Sequence, residues 1–131
     1  MGWLAYIAVA GGAALGALLR WGLGEALNPV FPAIPLGTLS ANLAGGFLIG
    51  IAVQFFTIHA TYSPELRLAL TTGFLGGFTT FSTFSAEAID LLLRRLYGWG
   101  LLLVGAHVVG SLLLTVIGLF LARLILKEGP G

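Results

Sequence analysis

The sequence predicts an all-α membrane protein, a single four-helix transmembrane domain over residues 1–131, with spans at about 3–22, 36–58, 66–94 and 97–125 and the third broken near Gly76–Thr80. Three observations carry that prediction. Hydrophobic residues make up 58% of the chain and charged residues only 8%, about a third of what a soluble domain carries, and the mean hydropathy is +1.04. Uncharged runs over 1–19, 26–64, 68–86 and 96–122 each approach or exceed the ~20 residues that cross a hydrocarbon core of about 30 Å. Finally, the string GFLGGFTTFSTFS, Gly73 to Ser85, lies inside the third run yet is dense in residues that weaken a helix.

The first run has no basic segment ahead of its apolar stretch and no convincing small-residue cleavage site, so it reads as a retained helix and not as a signal peptide. Its GAALG, Gly12 to Gly16, offers a small-residue face for close helix contact in lipid. Arg20, in GALLRW, closes the span; it either anchors at the interface by snorkelling or draws anions to a vestibule. The Pro-rich Asn28 to Pro35 is a loop, which places the second span from Leu36 to about Ile58. That span, GTLSANLAGGFLIG and onward, carries Thr38, Ser40 and Asn42, with Asn42 about one turn inside the bilayer. An intramembrane Asn is commonly an inter-helix hydrogen-bonding group and is equally a donor for an anion.

In the third span, Gly73, Gly76 and Gly77 have wide backbone freedom, and Thr79 and Thr80 follow with β-branched stiffness. Because unpaired backbone groups cost several kcal/mol in hydrocarbon, a break there must be buried in protein or line a wet cavity. Carbonyls freed near the midplane would suit a small cation. The competing reading is an unbroken helix whose glycines only permit close packing. Beyond the break, helical spacing puts Phe78, Phe81 and Phe84 along one drifting face, interleaved with Ser82, Thr83 and Ser85 and followed by Glu87. The rings either meet lipid or turn their positive edges toward an anion. In the fourth span His107, Ser111 and Thr115 fall at i, i+4 and i+8, a polar track on an otherwise apolar helix.

Four spans put both termini on one side, with Arg67, Arg123 and Lys127 there and Arg20, Arg94 and Arg95 on the other. Lys/Arg asymmetry sets orientation, and none exists here, so dual topology is expected. Subunits of both orientations would pair as an antiparallel homodimer with an isologous interface. Other classes find little support. There is no cysteine, and His59 and His107 have no ligand partners at metal-binding spacing. Arg94 and Arg95 are the only adjacent basic pair, too little for nucleic acid. No nucleophile, base and orienting carboxylate converge in the spans, so no enzyme is expected.

These strings resemble the Fluc/CrcB family of fluoride channels: GGAALGALLRW, GTLSANLAGGFLIG, GFLGGFTTFSTFS with Glu87, and the spacing of 107, 111 and 115. The resemblance implies a dual-topology homodimer in the lipid of a bacterial cell or inner membrane, with two antiparallel pores. It implies passive fluoride export that limits cytoplasmic toxicity, and a central structural sodium ion at the dimer interface. By motif position, Asn42 would donate to fluoride, with Thr38 assisting, and Phe81 and Phe84 would be the edge-on rings. Ser111 and Thr115 would line the polar track, with His107 at a position where some relatives have tyrosine. Arg20 and Glu87 would stand at the vestibule and pore end, and the carbonyls of Gly76 and Thr79 would hold sodium. The physical reading agrees, since a small, strongly hydrated anion needs several weak donors in series and no trapping charge. The rival is a small dual-topology proton-coupled multidrug transporter, which needs a carboxylate deep in a span; the first two spans have none before Glu25.

Overall fold

A computed structural model describes residues 2–127 and is helical throughout, with no strand among them. Helix α1 is Trp3–Leu27, followed by a 3₁₀ turn at Asn28–Val30, and α2 is Leu36–Ile58. The third span is in pieces: α3 at Pro64–Leu68, a π-helical segment at Ala69–Leu75, α4 at Gly76–Phe78, and α5 at Phe81–Leu93. Helix α6 is Tyr97–Lys127. Three of these, Trp3–Val30 with its 3₁₀ extension, Leu36–Ile58 and Tyr97–Leu126, are continuous, long and apolar enough to cross a membrane. The fourth span expected from the sequence corresponds to the interrupted run from Pro64 to Leu93.

The first helix continues past the expected residue 22 to Leu27, because nothing in WGLGEAL breaks it before the Asn-Pro pair. Asn28 also starts α2: its Oδ1 accepts the N–H groups of Gly37 and Thr38 at 2.8 and 3.2 Å, two of the donors that a helix N-terminus leaves free. Ser63 caps α3, accepting from the Leu66 N–H at 3.2 Å, with Pro64 at the first helical position. Helix α5 ends in a Schellman turn. The Leu96 N–H bonds to the Leu91 carbonyl at 2.8 Å and the Arg95 N–H to Leu92 at 3.0 Å, and Arg95 takes the left-handed φ of 59°.

Glycines let two helix pairs approach closely. A Cβ on Gly50 would land on the Thr115 carbonyl of α6, and one on Gly118 would land on the Phe47 carbonyl of α2. Likewise Gly12 and Gly16 of α1 face the backbone at Ala69 and Phe74, while Gly73 and Gly77 face Val9 and Ala13. The small-residue faces expected in these spans are thus contact faces within the subunit. Buried side chains form two clusters on either side of the break: Ala41, Leu75 and Phe78, and then Ile34, Phe84, Ala88, Leu91 and Leu103. The exposed surface is largely Leu, Val and Ile, with Trp3, Trp21 and Tyr97 exposed near helix ends, as suits a lipid-facing exterior with interfacial aromatics.

Candidate functional site

The third span breaks at Thr79 and Thr80, whose φ, ψ of −92°, 156° and −149°, 115° are extended. This is the C-terminal edge of the expected window, since Gly76–Phe78 is still helical. β-Branched residues suit extended backbone, and their hydroxyls finish both helix ends. The Thr79 hydroxyl donates to the Leu75 carbonyl at 2.8 Å, alongside its own N–H at 3.0 Å. Thr80 is the N-cap of α5, its Oγ1 accepting from the Thr83 N–H at 3.2 Å.

The buried backbone of Thr80, left without helical partners by the break, is paired by a residue from another span. Asn42 Oδ1 accepts the Thr80 N–H at 2.7 Å, and Asn42 Nδ2 donates to the Thr80 carbonyl at 2.9 Å. A backbone N–H can only donate and a carbonyl can only accept, so these two bonds fix which way the amide faces. Asn42 Nδ2 also lies 3.0 Å from His107 Nδ1, which joins α2, the break and α6 in one hydrogen-bonded chain. On the far side of the break, Arg20 Nε donates to the Gly77 carbonyl at 3.0 Å. The Thr80 and Thr83 N–H groups are diverted to Asn42 and to Thr80 Oγ1. The Gly76 and Thr79 carbonyls consequently lose the donors that a continuous α-helix would give them.

A cavity of about 550 Å³ opens beside the break, walled by α2, the third span and α6. Asn42, Phe81, Phe84, His107, Ser111 and Thr115 line it, as do Gly76 and Thr79. His107 is buried and stacks on Phe84 with ring centroids 4.6 Å apart and planes at 28°. Phe81 meets Phe84 edge to face at 5.4 Å and 75°, and is itself 76% exposed. The expectation of three rings on one face fails at Phe78. Helical phase is lost across the break, and Phe78 instead packs with Ala41 and Leu75 and stacks on Phe74.

Thr38 and Glu87 are not in the cavity wall. They pair one turn away, the Thr38 hydroxyl donating to Glu87 Oε1 at 2.6 Å, while Glu87 Oε2 is buried with no protein partner. Arg20 is likewise outside the cavity wall, bonded to the back of the break. Sequence reasoning missed Thr80 as the residue that joins the break to α2; the one local signal was that Thr is a favoured N-cap residue ahead of a helix. It also missed Gly45 and Gly46 as cavity wall, where a Cβ on Gly45 would strike the Thr79 methyl.

Comparison with known proteins places the chain in a family. The profile of the family described as CrcB-like protein, Camphor Resistance (CrcB), matches residues 7–119. A protein of Nitrosospira multiformis called fluoride-specific ion channel FluC is 53% identical over 123 residues, covering 94% of this chain and 96% of the relative. Proteins of the same name from Cupriavidus pinatubonensis and Cupriavidus taiwanensis are 55% and 54% identical, each over 95% of this chain and 99% of the relative. With nearly end-to-end similarity at that level, and the family profile spanning all four crossings, this chain belongs to the CrcB-like family.

Proposed function

We propose that this protein is a fluoride-selective channel that lets fluoride leave the cytoplasm passively, two antiparallel pores being formed by a dual-topology homodimer in a bacterial cell or inner membrane. The observation that carries the reading is the cavity beside the break. Phe81 and Phe84, Asn42, and the His107, Ser111 and Thr115 track share one wall, and no Lys, Arg, Asp or Glu is among its lining residues. Weak donors and ring edges in series can replace the water of a small anion without holding it. The lack of a lining carboxylate weighs against proton-coupled export of organic cations. The relatives' shared name, fluoride-specific ion channel, supports conduction and not catalysis.

A second copy seated over the cavity is supported by two features, and its opposite orientation by the even Lys/Arg balance. The cavity is open on one side, and the ring of Phe81 is largely uncovered within one subunit, 76% exposed. Sodium fits the chemistry of the break: the Gly76 and Thr79 carbonyls are hard oxygen ligands without their helical donors, and the described residues hold no group of His, Cys, Asp or Glu that would bind a divalent or soft metal. In a dimer those carbonyls would hold the ion, which when bound supplies positive charge to offset the negative end of the half-helix.

The test is efflux from phospholipid vesicles containing the purified protein, loaded with fluoride or chloride. Fluoride should leave rapidly and chloride should not. Phe81→Ile should reduce fluoride efflux about tenfold or more while the dimer persists, since replacing an aromatic edge that meets the anion removes about 1.4 kcal/mol or more. Wild-type flux in that variant would reject the ring-edge role, and absence of fluoride flux from the parent protein would reject the channel.

A further inference from the structure

A second recess lies away from the cavity, between the C-terminal half of α2 and the start of the third span. It holds about 260 Å³, and every side chain lining it is apolar: Leu48, Ile51, Phe55 and Phe56 stand on α2, with Leu70 and Phe74 opposite. Helix α1 leaves it uncovered. That helix packs on the π-helical segment through Gly12 and Gly73, meets α2 at Leu23 and Gly37 near the other end of α2, and contributes no residue to the groove. Leu48 and Leu70 are 39% and 44% exposed, so the groove opens outward. At about 3.6 residues per turn, the cavity residues Asn42, Gly46 and Ile49 and the groove residues Leu48, Ile51 and Phe55 fall on different sides of α2. A second copy seated over the cavity would leave this groove to the surrounding bilayer.

An apolar slot alone accepts any acyl chain; a charge at its mouth makes it selective. Arg67, three residues before Leu70, holds its guanidinium over the ring of Phe56, 5.3 Å from the centroid, and its Nη2 donates to the Phe56 carbonyl at 3.4 Å. That uses one N–H of a fork of five on a side chain that keeps its charge. Among the described residues the rest of the fork forms no hydrogen bond and no ion pair, not even with Glu65 of the same short helix. Arg67 is exposed. It stands beside an aromatic group at the end of α2, where Phe55 stacks on His59 and Tyr62 with centroids 4.6 and 5.5 Å apart; such rings gather at headgroup level. A cation at headgroup depth with an apolar slot running inward from it matches the two halves of a phospholipid. The geometry points to a binding site for an anionic phospholipid, one acyl chain lying in the groove against Phe56, Leu70 and Phe74 and the phosphate oxygens accepting from Arg67. Net negative charge distinguishes this ligand from phosphatidylcholine, whose own ammonium offsets its phosphate, and an arginine with no carboxylate beside it favours the former. The inference goes beyond the channel reading and requires only that the helices span a bilayer.

The experiment is native mass spectrometry of the purified protein in detergent, titrated with palmitoyl-oleoyl phosphatidylglycerol or with the phosphatidylcholine of the same chains. One phosphatidylglycerol per chain should bind about fivefold or more tightly than phosphatidylcholine. Arg67→Gln should erase that preference and Arg67→Lys should keep part of it, since the charge remains while the planar fork is lost. Arg123 gives the control: its guanidinium also lies over a ring, 5.6 Å from the Phe120 centroid, but Phe120 lines no part of the groove. Arg123→Gln should leave the preference intact. Leu48→Trp, which fills the groove from its rim, should weaken the binding of both lipids. Equal affinity for the two lipids in the parent protein overturns the inference, as does a preference that survives Arg67→Gln or falls as far with Arg123→Gln. Because Arg67 also bonds the last turn of α2, its Gln variant can fail to fold. Leu48→Trp leaves that bond in place, and unchanged lipid binding in this variant overturns the inference by itself. Fluoride efflux, measured separately, decides the channel reading.

Discussion

At Thr38 one hydroxyl hydrogen is the protein partner of a carboxylate: it donates to Glu87 Oε1 at 2.6 Å, and Glu87 Oε2 has none. Removing that donor leaves both oxygens of a half-buried carboxylate without a protein partner, which costs more than the net worth of the bond. Thr38→Val, close to isosteric, should therefore destabilise the protein by roughly 1–3 kcal/mol, and Thr38→Ser should recover most of the loss; unfolding in detergent measures both. At this scale the sequence showed which residues were polar at depth but not which polar atom each would face. Thr38, Asn42 and Glu87 were legible as unusual in an apolar chain, and the 107, 111, 115 spacing put three residues on one side of α6. The pairing of Thr38 with Glu87, and of Asn42 with Thr80, joins positions 49 and 38 residues apart. No local pattern encodes a contact of that separation. Arg20 illustrates the same limit, since its place near the end of the first span was readable while its bond to the Gly77 carbonyl depends on how α1 docks on α4.

The third span shows how an element can be predicted for a partly different reason from the one that makes it. Glycine freedom suggested the interruption, yet no described glycine adopts a positive φ, and Gly73 and Gly77 are helical residues that admit the backbone of α1 at Val9 and Ala13. Both readings of GFLGG thus hold in part: the helix is broken, and its glycines serve packing. The interruption belongs to the two threonines, one closing α4 and the other opening α5. The π-helical stretch Ala69–Leu75 ahead of them was not anticipated from the sequence; it packs on α1, with Gly73 admitting the backbone at Val9. If Thr80 acts as the N-cap, Thr80→Val keeps the preference for extended backbone but removes the capping oxygen. It should cost about 0.5–2 kcal/mol, with Thr80→Ser near the parent value. Equal stability of the Val and Ser variants in a detergent unfolding titration would show that Asn42 alone holds the break.

For the molecule as a whole, the charge distribution that allows either orientation also provides a way to test it. With the proposed four crossings, three Lys/Arg residues would fall on each side, so adding two to one side should commit the chain to a single orientation. Exposed positions exist at the ends of two helices: Ala60 and Thr61 beyond α2, and Ala26 and Val30 in the last turn of α1 and the 3₁₀ turn that follows it. Ala60→Arg with Thr61→Arg should fix one orientation, and Ala26→Arg with Val30→Arg the other. An antiparallel pair needs one chain of each kind, and the open cavity with its uncovered Phe81 gives the reason: a lone subunit leaves the proposed ion path exposed to lipid on one side. Cells lacking their own fluoride export should thus tolerate fluoride poorly with either doubly substituted chain alone and well with the two together. Full protection by one fixed-orientation chain would mean that parallel pairs or single subunits conduct, and the assembly would have to be rebuilt around a pore completed within one orientation. Protection only by the mixture would tie function to opposed subunits, because the four substitutions lie at helix ends and leave the residues of the cavity wall unchanged.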